Sequence, residues 1–266
     1  MKTNPRKKQL RAYYEALYAA WGCQHWWPAR TRFEVIAGAY LTQNTSWNNV
    51  EIALRRLRAA GWLNLKGIRN VPLEELESLI RPAGYFRQKA ARLKIFVAFV
   101  DEEYGGSLHR MFAQPTEKLR EQLLALNGVG PETADSILLY AGQHPVFVVD
   151  AYTRRILERH EIVPANSDYE EIRELFERGL SGVPGATGSR ASLDRTAPST
   201  TLREGLGGGP RTFNTTHRPS PMSRARRSEL VQIYNDMHGL IVTVGKRYCL
   251  KREARCEECP LKKFLP

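Results

Sequence analysis

The chain has 266 residues, with 40 Lys and Arg against 28 Asp and Glu, a net charge of +12 and a pI near 9.7. That length buries a sizeable core as one large or two small domains. The positive excess points to a polyanionic partner, although a merely basic protein has the same sum. No apolar run approaches the ~20 residues of a membrane span, so no membrane partner is expected. The N-terminal stretch MKTNPRKKQLRAYYEALYAAW is basic without a secretory apolar core, and four cysteines, three of them crowded at the end, do not make a disulfide framework. A cytoplasmic protein is expected.

In chain order, Leu10, Tyr14, Leu17 and Tyr18 recur at helical spacing behind Lys2, Arg6, Lys7 and Lys8. Cys23-Gln24-His25-Trp26-Trp27-Pro28 breaks that helix. Paired tryptophans stack on a flat ligand or plug a junction between domains. Residues 32–60 predict two helices, built on Phe33, Val35, Ile36 and Tyr40, then Val50, Ile52, Leu54 and Leu57. The stretch Leu41-Thr42-Gln43-Asn44-Thr45-Ser46-Trp47 separates them, its polar residues and lone Trp serving either a ligand or as caps and turn formers. Val71-Pro72-Leu73 starts another helix, Arg81 to Ala90 is a turn carrying Tyr85 and Phe86, and Lys94 to Tyr104 is a core helix built on Ile95, Phe96, Ala98 and Phe99.

The organising stretch is LREQLLALNGVGPETADSILLYAGQHPVFVVDAYTRRILERH, residues 119–160. Leu119, Leu123, Leu124 and Leu126 form one helical face, with Thr116 as N-cap. Asn127-Gly128-Val129-Gly130 stops that helix, the two glycines permitting φ > 0. Pro131 suits the first turn of the next helix, whose buried face is Ala134, Ile137, Leu138 and Ala141. Free backbone N–H groups in such a turn, beside a helix N-terminus, suit a phosphate; a bare turn between helices reads the same way. Asp150 follows the apolar run Val146-Phe147-Val148-Val149 and caps a helix over 151–159. Tyr169 to Leu180 is a charged helix with Ile172, Leu175 and Phe176 inward.

Residues 181–228 then change character, with seven Gly, five Pro and no Lys; eight Arg against two acids leave +6, half the excess of the chain. They read as a disordered basic insertion, and an out-of-frame stretch has the same composition. Residues 229–248 resume a helix, and the chain closes on Cys249-x6-Cys256-x2-Cys259, grouped thiols that read as a metal or iron–sulfur loop.

LNGVGPETAD followed by VVDAYTRR resembles the helix-hairpin-helix DNA glycosylases of the endonuclease III superfamily, most of all the endonuclease III-related proteins and the 3-methyladenine DNA glycosylase III branch. The resemblance implies an all-α, two-lobed fold. Residues 31–150 would form a helical domain with the hairpin. The N-terminal segment 1–30 would pair with 151–180 and 229–266, leaving 181–228 as the insertion. It implies a monomer acting on double-stranded damaged DNA, nucleoid-associated, in base excision repair. Asp150 would be the catalytic carboxylate, with Asp135, expected to face solvent, as the runner-up. Gly128, Val129, Gly130, Thr133 and Lys89 would contact DNA, Gln43 would enter the space left by a flipped nucleotide, and Tyr85 would wedge between base pairs while Phe86 packs. Trp26, Trp27, Pro28 and Trp47 would line the base pocket.

Bifunctional relatives carry a lysine two positions after the second glycine; here Glu132 stands there, which implies a hydrolytic enzyme without lyase activity. The resemblance to the 3-methyladenine branch, with Trp26, Trp27 and Trp47, implies an alkylated purine as substrate. Other lesions (uracil, a mismatch, an oxidised pyrimidine) and a non-catalytic DNA-binding module remain as alternatives. Relatives with a [4Fe–4S] cluster use C-x6-C-x2-C-x5-C. Cys249, Cys256 and Cys259 match, and Leu265 holds the fourth position. The expectation is a weakly held cluster or none, with Lys246, Arg247, Lys251, Arg252 and Arg255 keeping a basic face.

Overall fold

The computed structural model describes residues 5–182 and 219–266, and among these the protein is all-α; the one β pairing is an isolated bridge between Cys249 and Ala254. The helices are α1 (Pro5–Trp21), α2 (Arg32–Thr42), α3 (Trp47–Ala59), α4 (Leu65–Asn70), α5 (Leu73–Ile80), α6 (Phe86–Tyr104), α7 (Leu108–Phe112), α8 (Thr116–Leu124), α9 (Pro131–Ser136), α10 (Ala151–Arg159), α11 (Tyr169–Leu180) and α12 (Glu229–Arg247). A wider π turn, Ile137–Gly142, continues α9. No helix among the described residues is long and apolar enough to cross a membrane.

Two groups of helices share the core. α2 is apolar all round and buried from Phe33 to Leu41, as a central helix must be. It packs on α3, α6 and the α9 helix with its π extension, while α5 lies on α3 and α6. The one charged residue on that buried stretch, Glu34, is satisfied by the Arg30 backbone N–H at 3.0 Å and by an ion pair with Arg58 of α3. In the second group α1 lies on α11 and α12, and α10 lies on α12. α12 buries nearly every residue from Val231 to Gly245.

A buried ionic clasp joins the hairpin to the second group. Arg120 of α8 donates to both Asp135 oxygens, at 2.7 and 3.2 Å, and to Glu170 of α11 at 2.6 Å. Asp135 is therefore fully buried and structural, contrary to its expected solvent-facing place, because α11 closes over that side of the hairpin helix. Other expectations shift as well. α8 takes Pro115 as its N-cap and Thr116 as its first residue, whose hydroxyl pairs with the His144 ring at 2.9 Å. α6 begins at Phe86, and its inward register is Leu93, Phe96, Val97 and Val100; Ile95 and Ala98 turn outward.

The insertion expected over 181–228 lies, for residues 183–218, outside the described residues. Its last stretch is packed: Met222 and Ser223 are buried, the Met222 N–H donates to the Ala29 carbonyl at 3.1 Å, and the Ser220 hydroxyl donates to the Trp27 carbonyl at 3.3 Å.

Lys89 is a further correction. The ammonium is buried, 1 % exposed, and donates to the Leu41 carbonyl at 2.9 Å and the Ala83 carbonyl at 2.8 Å, pinning the end of α2 to the turn before α6. Burial, with Arg92 nearby, pushes its pKa down to about 8. It has no route to a phosphate. Lys89→Met strands two buried carbonyls and is expected to cost about 2–4 kcal/mol in denaturant unfolding. The DNA affinity of the folded variant should match that of the wild type; a selective loss of affinity without a loss of stability would return Lys89 to the DNA surface.

Candidate active site

Where the two groups of helices meet, a cleft of about 1070 Å³ is lined by the end of α2, the hairpin, the start of α10 and α12. Asp150 lines it. The apolar run Val146 to Val149 is buried outside any helix, the Phe147 N–H held by Glu177 Oε1 at 3.0 Å and the Val149 N–H by the Tyr169 hydroxyl at 3.3 Å. That run delivers Asp150 to the N-cap of α10. There Oδ1 accepts from the Thr153 N–H at 2.7 Å and its hydroxyl at 2.8 Å. The positive end of α10 faces this carboxylate. Oδ2 points to His238 Nε2, 3.6 Å away on α12.

The hairpin turn forms one rim. Gly128 has φ +78°, and a Cβ there would lie 1.9 Å from Arg92 Nε. Gly130 has ordinary φ −92°, so only the first glycine is needed for the turn; a Cβ on the second would meet nothing within 4 Å and would instead project into open space. Val129 is buried and offers only backbone. Gln43 lines the cleft and braces the turn: its amide N–H donates to the Gly128 carbonyl and to Thr133 Oγ1, both at 3.0 Å, and its carbonyl accepts from Arg92 at 2.8 Å. Glu132, in the first turn of α9, reaches water inside the cleft but is ringed by protein. This enclosure, with the Asp150 charge, raises its pKa to about 7 against the opposing pull of Arg154.

Three indoles form the opposite wall. Trp27 meets Trp26 and Trp47 with ring centroids 5.2 Å apart in each case, and Trp26 lies 6.3 Å from Trp47. Gly38 of α2 permits this approach, since a Cβ there would stand 3.2 Å from the Trp27 ring. Pro28 does not line the cleft. Lys246 stands with its ammonium 5.9 Å from the Trp26 ring centre, and burial lowers its pKa although Asp150 and Glu51 oppose the shift. Away from the cleft, Tyr85 is 66 % exposed at φ +45°, thrown outward by the turn before α6. A non-glycine held there costs of order 1–3 kcal/mol. Phe86 packs on the core with Arg81 and Arg87 over its ring.

His238 and Arg154 line this site and were not foreseen, Tyr140 stands behind His238, and Lys246, expected on the basic face of the cysteine loop, lines the cleft. His238 shares α12 with other buried polar residues, Asn235, Asp236 and Thr243, so nothing in the sequence sets it apart.

The cysteine loop follows α12. Cys249 is buried and its sulfur accepts from Arg159 at 3.2 Å, while Cys256 and Cys259 sit on the next turn. Among the described residues, no three His, Cys, Asp or Glu side chains stand together as a metal-binding group. With an apolar Leu265 in the fourth position and a guanidinium already on Cys249, the residues present do not make up a four-thiolate set. Protein contacts fasten the loop instead. Arg159 donates to the Leu250 and Lys251 carbonyls, Arg155 to the Cys249 and Gly245 carbonyls, and Trp21 stacks on Tyr248.

Residues 37–181 match the family described as the HhH-GPD superfamily of base excision DNA repair proteins. Over 265 residues, 99 % of this chain and 98 % of the relative, the sequence is 38 % identical to a candidate DNA repair glycosylase of Methanocaldococcus jannaschii. Among solved structures, 3-methyladenine DNA glycosylase (MagIII) of H. pylori bound to 1,N6-ethenoadenine aligns with TM-score 0.64 and 27 % identity, covering 91 % of this chain and 97 % of that one. A trapped endonuclease III–DNA covalent intermediate shares the fold, with TM-score 0.66 and 20 % identity over 99 % and 96 % of the two chains. The chain belongs to the HhH-GPD superfamily and has the endonuclease III-like helical fold. It is a DNA glycosylase of base excision repair.

The raised Glu132 pKa sets a pH dependence. Below about 7 the carboxyl is neutral, and as pH rises through that value it ionises in a cleft that must admit DNA phosphates. DNA affinity at fixed ionic strength should therefore fall more steeply between pH 6 and 8 for the wild type than for Glu132→Gln. Parallel curves in fluorescence anisotropy titrations would place the Glu132 titration outside that window.

Proposed function

We propose that the chain is a monofunctional glycosylase that acts as a monomer on double-stranded DNA, flips an alkylated purine into the cleft and hydrolyses its glycosidic bond. The observation that carries this reading is the meeting of Asp150 and three indoles in one cleft, on a hairpin that offers glutamate where bifunctional relatives hold lysine. As the base departs, positive charge develops on the sugar. Asp150, ionised at a helix N-terminus, stabilises that charge and activates or orients the water that traps it. Methylation of a ring nitrogen, as in 3-methyladenine, makes the leaving base cationic, which weakens its bond to the sugar. Electron-rich indole faces attract such a base by ~0.5–2 kcal/mol. The cleft already supports a cation at an indole, Lys246 over Trp26. The resemblance in sequence and fold to a 3-methyladenine glycosylase bound to an alkylated adenine supports the same substrate class.

DNA enters across the hairpin. The open side of Gly130 lets phosphate oxygens approach the backbone N–H groups, and Tyr85, exposed on its own turn, unstacks the base to be flipped. Gln43, braced between Gly128 and Thr133, stands ready for the vacated space. Glu132 cannot form a Schiff base, so strand cleavage is left to another enzyme.

The test is a panel of damaged duplexes with the released base identified. Wild type should release an alkylated purine, and Asp150→Asn should bind DNA as before with release reduced roughly 100-fold or more. Trp47→Ala, the least buried of the three indoles, should slow release more than it weakens binding to undamaged DNA. Borohydride should trap no covalent complex; efficient trapping abolished by Lys246→Met would identify that amine as a lyase nucleophile and overturn the monofunctional reading.

The cysteine loop, on this reading, serves as a basic clamp on phosphates held by Arg155, Arg159 and aromatic stacking. Iron analysis after anaerobic purification should find well under four irons per chain. Four irons stable in air would reveal a fourth ligand and reverse this part of the proposal.

A further inference from the structure

Behind Asp150 lies a chain of polar groups that the reaction as described does not use. His238 is buried on α12, and its Nδ1 lies 2.6 Å from the hydroxyl of Tyr140, itself buried on the π extension of the hairpin helix. Its Nε2 faces Asp150 Oδ2 at 3.6 Å. The Trp26 ring lies 6.2 Å from the imidazole. A phenol O–H is a stronger donor than a neutral imidazole N–H, and an imidazole nitrogen the stronger acceptor, so Tyr140 donates to His238 Nδ1. A neutral imidazole that accepts at Nδ1 carries its single proton on Nε2, directed at Asp150. Burial favours that neutral ring, lowering the His238 pKa against the pull of Asp150.

We propose that His238 and Tyr140 are positioning residues for Asp150, forming a relay that starts at the Tyr140 hydroxyl and ends on the carboxylate oxygen left free by the helix cap. Thr153 holds one oxygen of Asp150 with two hydrogen bonds, and His238 Nε2 faces the other across 3.6 Å, an electrostatic contact longer than a hydrogen bond. The carboxylate then has a neighbour on each side, its own helix and α12, before DNA arrives. The catalytic use of this relay rests on the reading of Asp150 as the reacting carboxylate, whereas its geometry does not.

Two measurements test it. The first is ring-nitrogen NMR of His238 in the full-length wild type at neutral pH. The expected result is a neutral ring protonated on Nε2, whose signals shift in Asp150→Asn and lose their single-tautomer pattern in Tyr140→Phe, a change of one oxygen atom. The second compares single-turnover base release with binding to undamaged duplex. His238→Leu and Tyr140→Phe should slow release roughly 10- to 100-fold, the cost of a misaligned reacting group, with binding within about twofold of wild type. His238→Gln, which can still donate to Oδ2, should recover part of the rate. A ring protonated on Nδ1, release unchanged in His238→Leu, or equal losses in release and binding would each overturn the proposal. A wild type with the Nε2 tautomer and the Asp150→Asn response that releases no base from any lesion supports the orientation of Asp150 and overturns the glycosylase reading instead.

Discussion

The capping bond between the Asp150 carboxylate and the Thr153 N–H, 2.7 Å long, is the constraint on which the site depends. It makes one residue the end of a buried apolar run, the start of a helix and part of the cleft lining. A helix start needs an acceptor, and an aspartate supplies it while keeping one oxygen outside the cap. The cap of α10 and the placement of the carboxylate are the same interaction seen from two sides.

The rest of the architecture holds the neighbours of Asp150 at fixed distance. The hairpin approaches from the first group of helices, braced by Gln43 and Arg92 and anchored by the Arg120–Asp135–Glu170 clasp to α11. The second group supplies α12, which brings the buried His238 and, at its exposed end, Lys246 to the same cleft. Trp26 and Trp27 close the gap between the groups. They therefore serve both roles that paired tryptophans suggest, plugging a junction and walling a pocket. A rigid wall of indoles costs little conformational entropy when a flat base docks.

The cysteine loop is seated by protein contacts. Guanidinium donors to backbone carbonyls, a Trp–Tyr stack and the contact of Phe264 with Tyr13 hold it against α1 and α10. Such contacts require no thiolate, which is compatible with an apolar Leu265 where the family pattern has its fourth cysteine.

Local patterns determined what local physics controls. Apolar spacing marked the long helices, the aspartate before 151–159 marked a cap, and the Gly–Val–Gly turn between helical faces marked the hairpin; together with the spacing to Asp150 these identified the family. The register of α6 was misread because Ile95 is apolar yet faces water, and only packing against neighbouring helices distinguishes it from Val97. Tertiary structure alone decided that Lys89 is buried on two carbonyls, that Asp135 is clasped by Arg120, and that His238, 88 residues beyond Asp150, stands behind it. Each of these depends on where a polar side chain finds its partner once water is excluded. That partner lies on another helix, at a separation for which periodicity carries no signal.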